Sequence, residues 1–181
     1  MMQLEHKFSA LGGDITVTDG AVISGYASLF GAVDQGGDVV AIGAYAASLA
    51  RLRAKGGSVK MLWQHDPAQP IGVWEEVRED AKGLWVKGRI LTDVARGREA
   101  VALIGAGAID GLSIGYRTLK ATKDDKGGRL LAELELWEVS LVTFPMLPEA
   151  RVAAKGDDPE AGMLRELAAV FQSARGLLVS D

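Results

Sequence analysis

Three residues in this sequence combine reactive side chains with apolar surroundings. In "GLSIGY", residues 111–116, Ser113 puts a small hydroxyl between apolar neighbours in a run that reads as buried strand. In "SVKMLWQHD", residues 58–66, strict strand alternation puts Val59, Met61, Trp63 and then His65 on one face. In residues 134–144 the same period groups Leu134, Leu136, Glu138, Ser140, Val142 and Phe144. Burying an unpaired carboxylate costs roughly several kcal/mol. A glutamate on an apolar face is therefore paired, at a strand end, or functional.

Each residue alone has a plain structural reading. Ser113 carries no motif value by itself, and it is not the strand-to-helix elbow of G-x-S-x-G hydrolases, because a strand follows it. His65 reads equally as an aromatic capping a strand end, and Glu138 as a strand-end ion pair. His6 lies in a polar N-terminal segment and reads as a surface residue. Together, a hydroxyl, an imidazole and a carboxylate on three predicted strands have the composition of a nucleophile, base and orienter set.

Rival chemistries fail on supply. The chain has two histidines and no cysteine, too few for a zinc site with about three protein ligands. A two-carboxylate hydrolase needs a second acid on an apolar face, and Asp66 and Asp110 fall at loop edges. Gly105 and Gly107 follow a helix instead of opening one, so they make a weak phosphate cradle. No metal and no cofactor is expected.

These residues need a scaffold, and the totals allow one. The chain has 181 residues, 48% hydrophobic and 24% charged, enough for one domain with a proper core. A net charge of −4 without a basic cluster argues against a nucleic-acid partner. No apolar run reaches the roughly 20 residues of a membrane span. "MMQLEHKFSA" lacks the apolar stretch of a signal peptide. A soluble intracellular domain is expected, with no membrane partner.

"DITVTDGAVISGYASLF" reads as two strands turning at Asp19-Gly20. In "AYAASLARLRAKGG", Tyr45, Leu49 and Leu52 recur at helical spacing and Gly56-Gly57 stop the helix. "SVKMLWQHD" reads as a half-buried strand ended by Pro67. "IGVWEEV" and "LWVKGRIL" form a second hairpin, and a helix capped by Thr92 or Asp93 runs to about Gly105. "GLSIGYRTLKA" and "RLLAELELWEVSLVTF" are strands joined by a polar turn. "AAKGDDPE" reads as a linker over 153–160. Beyond it, Met163, Leu164, Leu167, Val170 and Phe171 give an amphipathic stripe for a C-terminal helix over 161–181. The expected fold is α+β and β-rich: a small antiparallel barrel over 1–152, flanked by helices.

"GYASLFGAVDQGGDVVAIGAYAASL", "MLWQHDPAQPIGVW", "LSIGYR" and "LELWEVSLVTFPMLPEARV" occur in that order. Over about residues 10 to 155 they resemble the prohead (capsid maturation) proteases of tailed bacteriophages. The resemblance implies a serine endopeptidase with the helix-surrounded β-barrel of herpesvirus assemblins. Its substrates would be scaffold, or the scaffold-like extension of the major capsid protein, and itself. It would work in the host cytoplasm, inside the assembling prohead.

The resemblance also implies roles. His65, of the "W-x-H-D" stretch, would be the general base, and Ser113, of "LSIGY", the nucleophile. Glu138, of "LWEVSLV", would stand where assemblins have a second histidine. Asp66 competes with Glu138 for that role, and Ser140 is a candidate hydrogen-bond partner of the acid. The oxyanion hole would draw on Arg151 or Arg117, and the resemblance does not choose between them. The linker is a candidate self-cleavage region. The C-terminal stripe must pack on the barrel, on scaffold, or on a second copy as a homodimer.

Overall fold

The computed structural model describes residues 5–8, 15–18, 21–34, 36–123, 128–144 and 152–153. Ten strands and two helices are present among them: β1 (Glu5–Phe8), β2 (Ile15–Thr18), β3 (Val22–Leu29), β4 (Asp38–Val40), α1 (Ala46–Ala54), β5 (Lys60–Trp63), β6 (Asp66–Glu79), β7 (Gly83–Ile90), α2 (Ala95–Gly105), β8 (Gly111–Lys123), β9 (Arg129–Val142) and β10 (Val152–Ala153). The strands form one sheet ordered β1-β8-β9-β5-β6-β7-β3-β2-β10, with β4 pairing β9 off that path. The sheet curls into a half-barrel carrying two helices, the β-rich architecture expected.

The predicted hairpins β2–β3, β6–β7 and β8–β9 all pair antiparallel. Three pairings are parallel instead: β5 with β9, β4 with β9 and β10 with β2. Of these, β5 beside β9 is the one that builds the site.

The core is an apolar cluster that includes Ile23, Tyr45, Met61, Ile71, Trp74, Leu112, Ile114, Tyr116, Leu136, Val139 and Leu141. Along β9, α1 covers the edge left open between the β4 and β5 pairings. Leu134 N donates to Ala44 O (2.9 Å), and Leu136 N donates to the Ser48 hydroxyl (2.9 Å). An uncovered sheet edge would offer a template for wrong pairing, and a helix placed here removes it. Helix α1 ends as its glycines require: Gly56 takes φ +64°, and Gly57 N returns to Leu52 O (2.9 Å).

Two expectations fail locally. Helix α2 starts at Ala95 after Val94, and no side-chain cap from Thr92 or Asp93 satisfies its first turn. Their backbone carbonyls instead accept the Arg98 guanidinium. Pro67 does not end a strand either; it lies within β6, where residues 67–69 loop out between the Trp63–Asp66 and Leu62–Pro70 pairs. Residues 154–181, and with them most of the expected linker and the whole C-terminal helix, lie outside the described residues.

Candidate active site

The site forms where β8, β9 and β5 run side by side. Ser113 of β8 lies directly across from Ser140 of β9, and Gly115 directly across from Glu138. On the other side of β9, Leu62 pairs with Ser140 and Lys60 with Glu138. Neighbours in register share a face, so Ser113, Gly115, Glu138, Ser140 and Leu62 lie together. Their alternates Leu112, Ile114, Val139, Leu141 and Met61 belong to the apolar cluster on the opposite face. Both faces are buried at this point: residues 111–116 are all buried, and Ser113 and Ser140 have no exposed surface.

This corrects the period-two grouping of both His65 and Glu138. Gly115 pairs with Glu138 but Tyr116 pairs with Leu136, so Trp137 is the extra residue of a β-bulge. The bulge exchanges faces: Leu134 and Leu136 before it, and Val139 and Leu141 after it, all reach the core. Glu138 and Ser140 therefore point away from those leucines. Strand β5 likewise ends at Trp63, which pairs with Asp66 across the two-residue turn Gln64-His65. Both turn residues have positive φ, 52° and 61°. Positive φ at both central positions is the requirement of a type I′ hairpin turn, usually met by Asn-Gly. His65 thus leaves the Val59–Met61–Trp63 face and swings over β9.

The turn is held from three sides. Gln64 N donates to Leu141 O (2.9 Å), continuing the β5–β9 ladder. The Gln64 side-chain amide donates to the Thr143 hydroxyl (2.7 Å). His65 N donates to Ser140 Oγ (3.1 Å). Non-glycine residues in this region cost roughly 1–3 kcal/mol each and persist where their surroundings over-determine them.

The imidazole meets the acid directly. His65 Nδ1 donates to Glu138 Oε1 at 2.6 Å, and the two side chains are 12% and 4% exposed. With the carboxylate accepting, Nδ1 carries the proton and Nε2 is the nitrogen left for base chemistry. Ser140 Oγ donates to the second oxygen, Glu138 Oε2, at 2.5 Å. The buried charge is thus bonded through both oxygens, as burial demands. Ser113 stands one strand away from this pair, since directly opposed antiparallel Cα atoms are about 4.5–5.5 Å apart.

Asp66 is engaged elsewhere. Its Oδ1 accepts Ala68 N (2.8 Å) and its Oδ2 accepts the Gln69 amide (2.8 Å). Gln69 in turn accepts Arg96 of α2 (2.7 Å), whose guanidinium lies 5.6 Å from the Trp63 ring centre. Asp66 therefore shapes the loop after the turn. Arg117 is ion-paired at 2.6 Å with Glu135, its register partner on β9, and Arg151 lies outside the described residues. His6 pairs through its backbone with Gly115, since β1 adds to the free edge of β8 and brings Phe8 alongside Ser113.

The sequence profile of the caudovirus prohead serine proteases matches residues 12–163. The chain belongs to that family. The protease is 30% identical over 166 residues to the prohead protease of Enterobacteria phage HK97, covering 88% of this chain and 71% of that one. The solved structure of the bacteriophage T4 capsid assembly protease matches its fold with a TM-score of 0.61 at 18% identity, over 79% of this chain and 98% of that one. It is a serine protease of phage capsid maturation.

Proposed function

We propose that this protease cleaves scaffold, or the scaffold-like extension of the major capsid protein, within the assembling prohead, and that it also cleaves itself. Ser113 is the nucleophile, His65 the general base and Glu138 the orienter. One observation carries the assignment: a part-buried imidazole bonded through Nδ1 to the buried Glu138 stands over the strand next to Ser113.

In the reaction, His65 Nε2 takes the proton of Ser113 Oγ as that oxygen attacks the scissile carbonyl. The imidazolium so formed is stabilised by the Glu138 carboxylate, which accepts from Nδ1 throughout. The proton passes to the leaving amine as the peptide C–N bond breaks, giving an acyl-enzyme on Ser113. Water, deprotonated by the same nitrogen, attacks the ester and regenerates the hydroxyl.

A fluorophosphonate serine probe followed by mass mapping tests this site. A label on Ser113 is expected, and a label elsewhere, or none, overturns it. Co-expression with the phage's major capsid protein tests the substrate: capsid chains shortened by active enzyme, and left whole by Ser113→Ala, are expected. Specific activity that rises with enzyme concentration is expected if a second copy completes the enzyme, and a flat dependence overturns the homodimer.

A further inference from the structure

Glu138 reaches His65 only by lying across the backbone of β8. The residue beneath it, directly opposite in register, is Gly115. A methyl group there would overlap Glu138 Oε1 outright and come within 2.7 Å of Cδ and 2.9 Å of Cγ. These are the three nearest atoms such a methyl would meet, and all belong to one side chain. Real Cβ atoms essentially never approach so closely. On the far side of the carboxylate, Ser140 Oγ donates to Oε2 and accepts from His65 N. The acid is thus confined between a missing side chain and a hydroxyl.

We propose that Gly115 and Ser140 form a slot that holds the Glu138 carboxylate on His65 Nδ1, making both positioning residues of the protease. The proposal rests on the assignment of Ser113, His65 and Glu138 made above. It explains the second glycine of "GLSIGY". Glycine weakens a strand interior, and it commonly marks a close approach of another group. Here the approaching group is the catalytic acid. Ser140 has a double function, because one oxygen couples the acid's position to the backbone of the turn that carries the base.

The test is a double-mutant cycle read by fluorophosphonate labelling of the full chain, with kinact and KI separated. Glu138→Ala and Ser113→Ala first establish the site: Ser113→Ala must lose labelling and Glu138→Ala must slow it measurably, and wild-type labelling of either overturns the triad itself. With those losses in hand, Gly115→Ala should lower kinact by about as much as Glu138→Ala does, at unchanged KI. In the Glu138→Ala background the same glycine substitution should change kinact less than about twofold, because no carboxylate remains to displace. Ser140→Ala should lower kinact about tenfold, the share of one hydrogen bond, and Ser140→Thr should restore part of it by returning the hydroxyl. Wild-type labelling by Gly115→Ala, or an equal loss in both backgrounds, overturns the slot. If Gly115→Ala does not fold, Gly115→Ala/Glu138→Ala decides: it should fold, and its failure would place the fault in the strand ladder.

Discussion

His65 Nδ1 lies 2.6 Å from Glu138 Oε1 because β5 and β9 run parallel, with Leu62 beside Ser140 and Trp63 beside Leu141. Parallel neighbours end in the same direction. The turn leaving β5 therefore opens beyond the middle of β9, and its second residue can fold back over Glu138. An antiparallel β5 would send the histidine toward the other end of the sheet. The single parallel step in this part of the sheet brings the two side chains together.

Ser113→Ala should abolish proteolysis, with a rate loss on the order of 10⁴-fold or more. Ser113 is fully buried on a strand paired on both sides, so the backbone has little reason to move. Removing one small oxygen should leave the melting temperature within a few degrees of wild type. Thermal denaturation and capsid-cleavage assays check both halves, and comparable residual proteolysis removes Ser113 from the mechanism.

Glu138→Gln should cost far more rate than Asp66→Asn. The neutral amide keeps the shape of the carboxylate but cannot stabilise the imidazolium, and a loss approaching 10⁴-fold is expected. The Asp66 oxygens serve Ala68 and Gln69, so Asp66→Asn should stay within about tenfold of wild type. A larger loss for Asp66→Asn would transfer the orienting role to Asp66.

The residue types of the site were legible in the sequence, but their faces were not. Period-two counting put His65 with Val59, Met61 and Trp63, and Glu138 with Leu134 and Leu136. Both groupings assume an uninterrupted strand. Nothing in "LWQHD" announces a type I′ turn, since neither Gln64 nor His65 is the usual glycine or asparagine. Nothing in "LELWEVS" marks Trp137 as a bulge. These are conformations that the surrounding packing imposes against local preference. The hairpins and α1 were legible because turn residues, glycine stops and apolar spacing agree there, as at Gly56 and Gly57. The cap of α2 was misread because Thr92 and Asp93 are good capping residues placed too early for a helix that starts at Ala95.

The Gln64 side chain ties the strained turn to Thr143, so two substitutions should separate the clamp from the strain. Gln64→Ala loses the bond to the Thr143 hydroxyl while still forcing a Cβ-bearing residue to φ 52°. It should cost about 1–2 kcal/mol and slow probe labelling of Ser113. Gln64→Gly loses the same bond but adopts positive φ freely, so it should be more stable than Gln64→Ala by roughly 0.5–1 kcal/mol. Both should slow labelling, because the turn carrying His65 is less firmly held. Equal stabilities in chemical denaturation would mean that the turn is unstrained.

The start of α1 carries a charge whose effect on stability has a definite sign with pH. Tyr45 N donates to Glu79 Oε1 at 2.9 Å, so Glu79 supplies an acceptor beside the helix start from β6. Burial pushes the Glu79 carboxyl above its ordinary value of 4.5, and the Tyr45 amide only partly opposes it. A carboxyl whose folded pKa lies above its unfolded one binds its proton more tightly in the folded state. Stability is then lost as pH rises through 4.5 toward the raised value, and the penalty is complete above it. Glu79→Gln keeps an oxygen for the Tyr45 amide and removes the charge. It should be at least as stable as wild type at neutral pH, with the advantage vanishing below about pH 4.5. Glu79→Ala removes the acceptor as well and should be less stable than Glu79→Gln by about 1 kcal/mol at every pH, since neither variant titrates there. Denaturant titrations of the three proteins at pH 4 and pH 7 check the sign, and a Gln variant that loses as much as the Ala variant at pH 7 would show that the charge itself holds the helix.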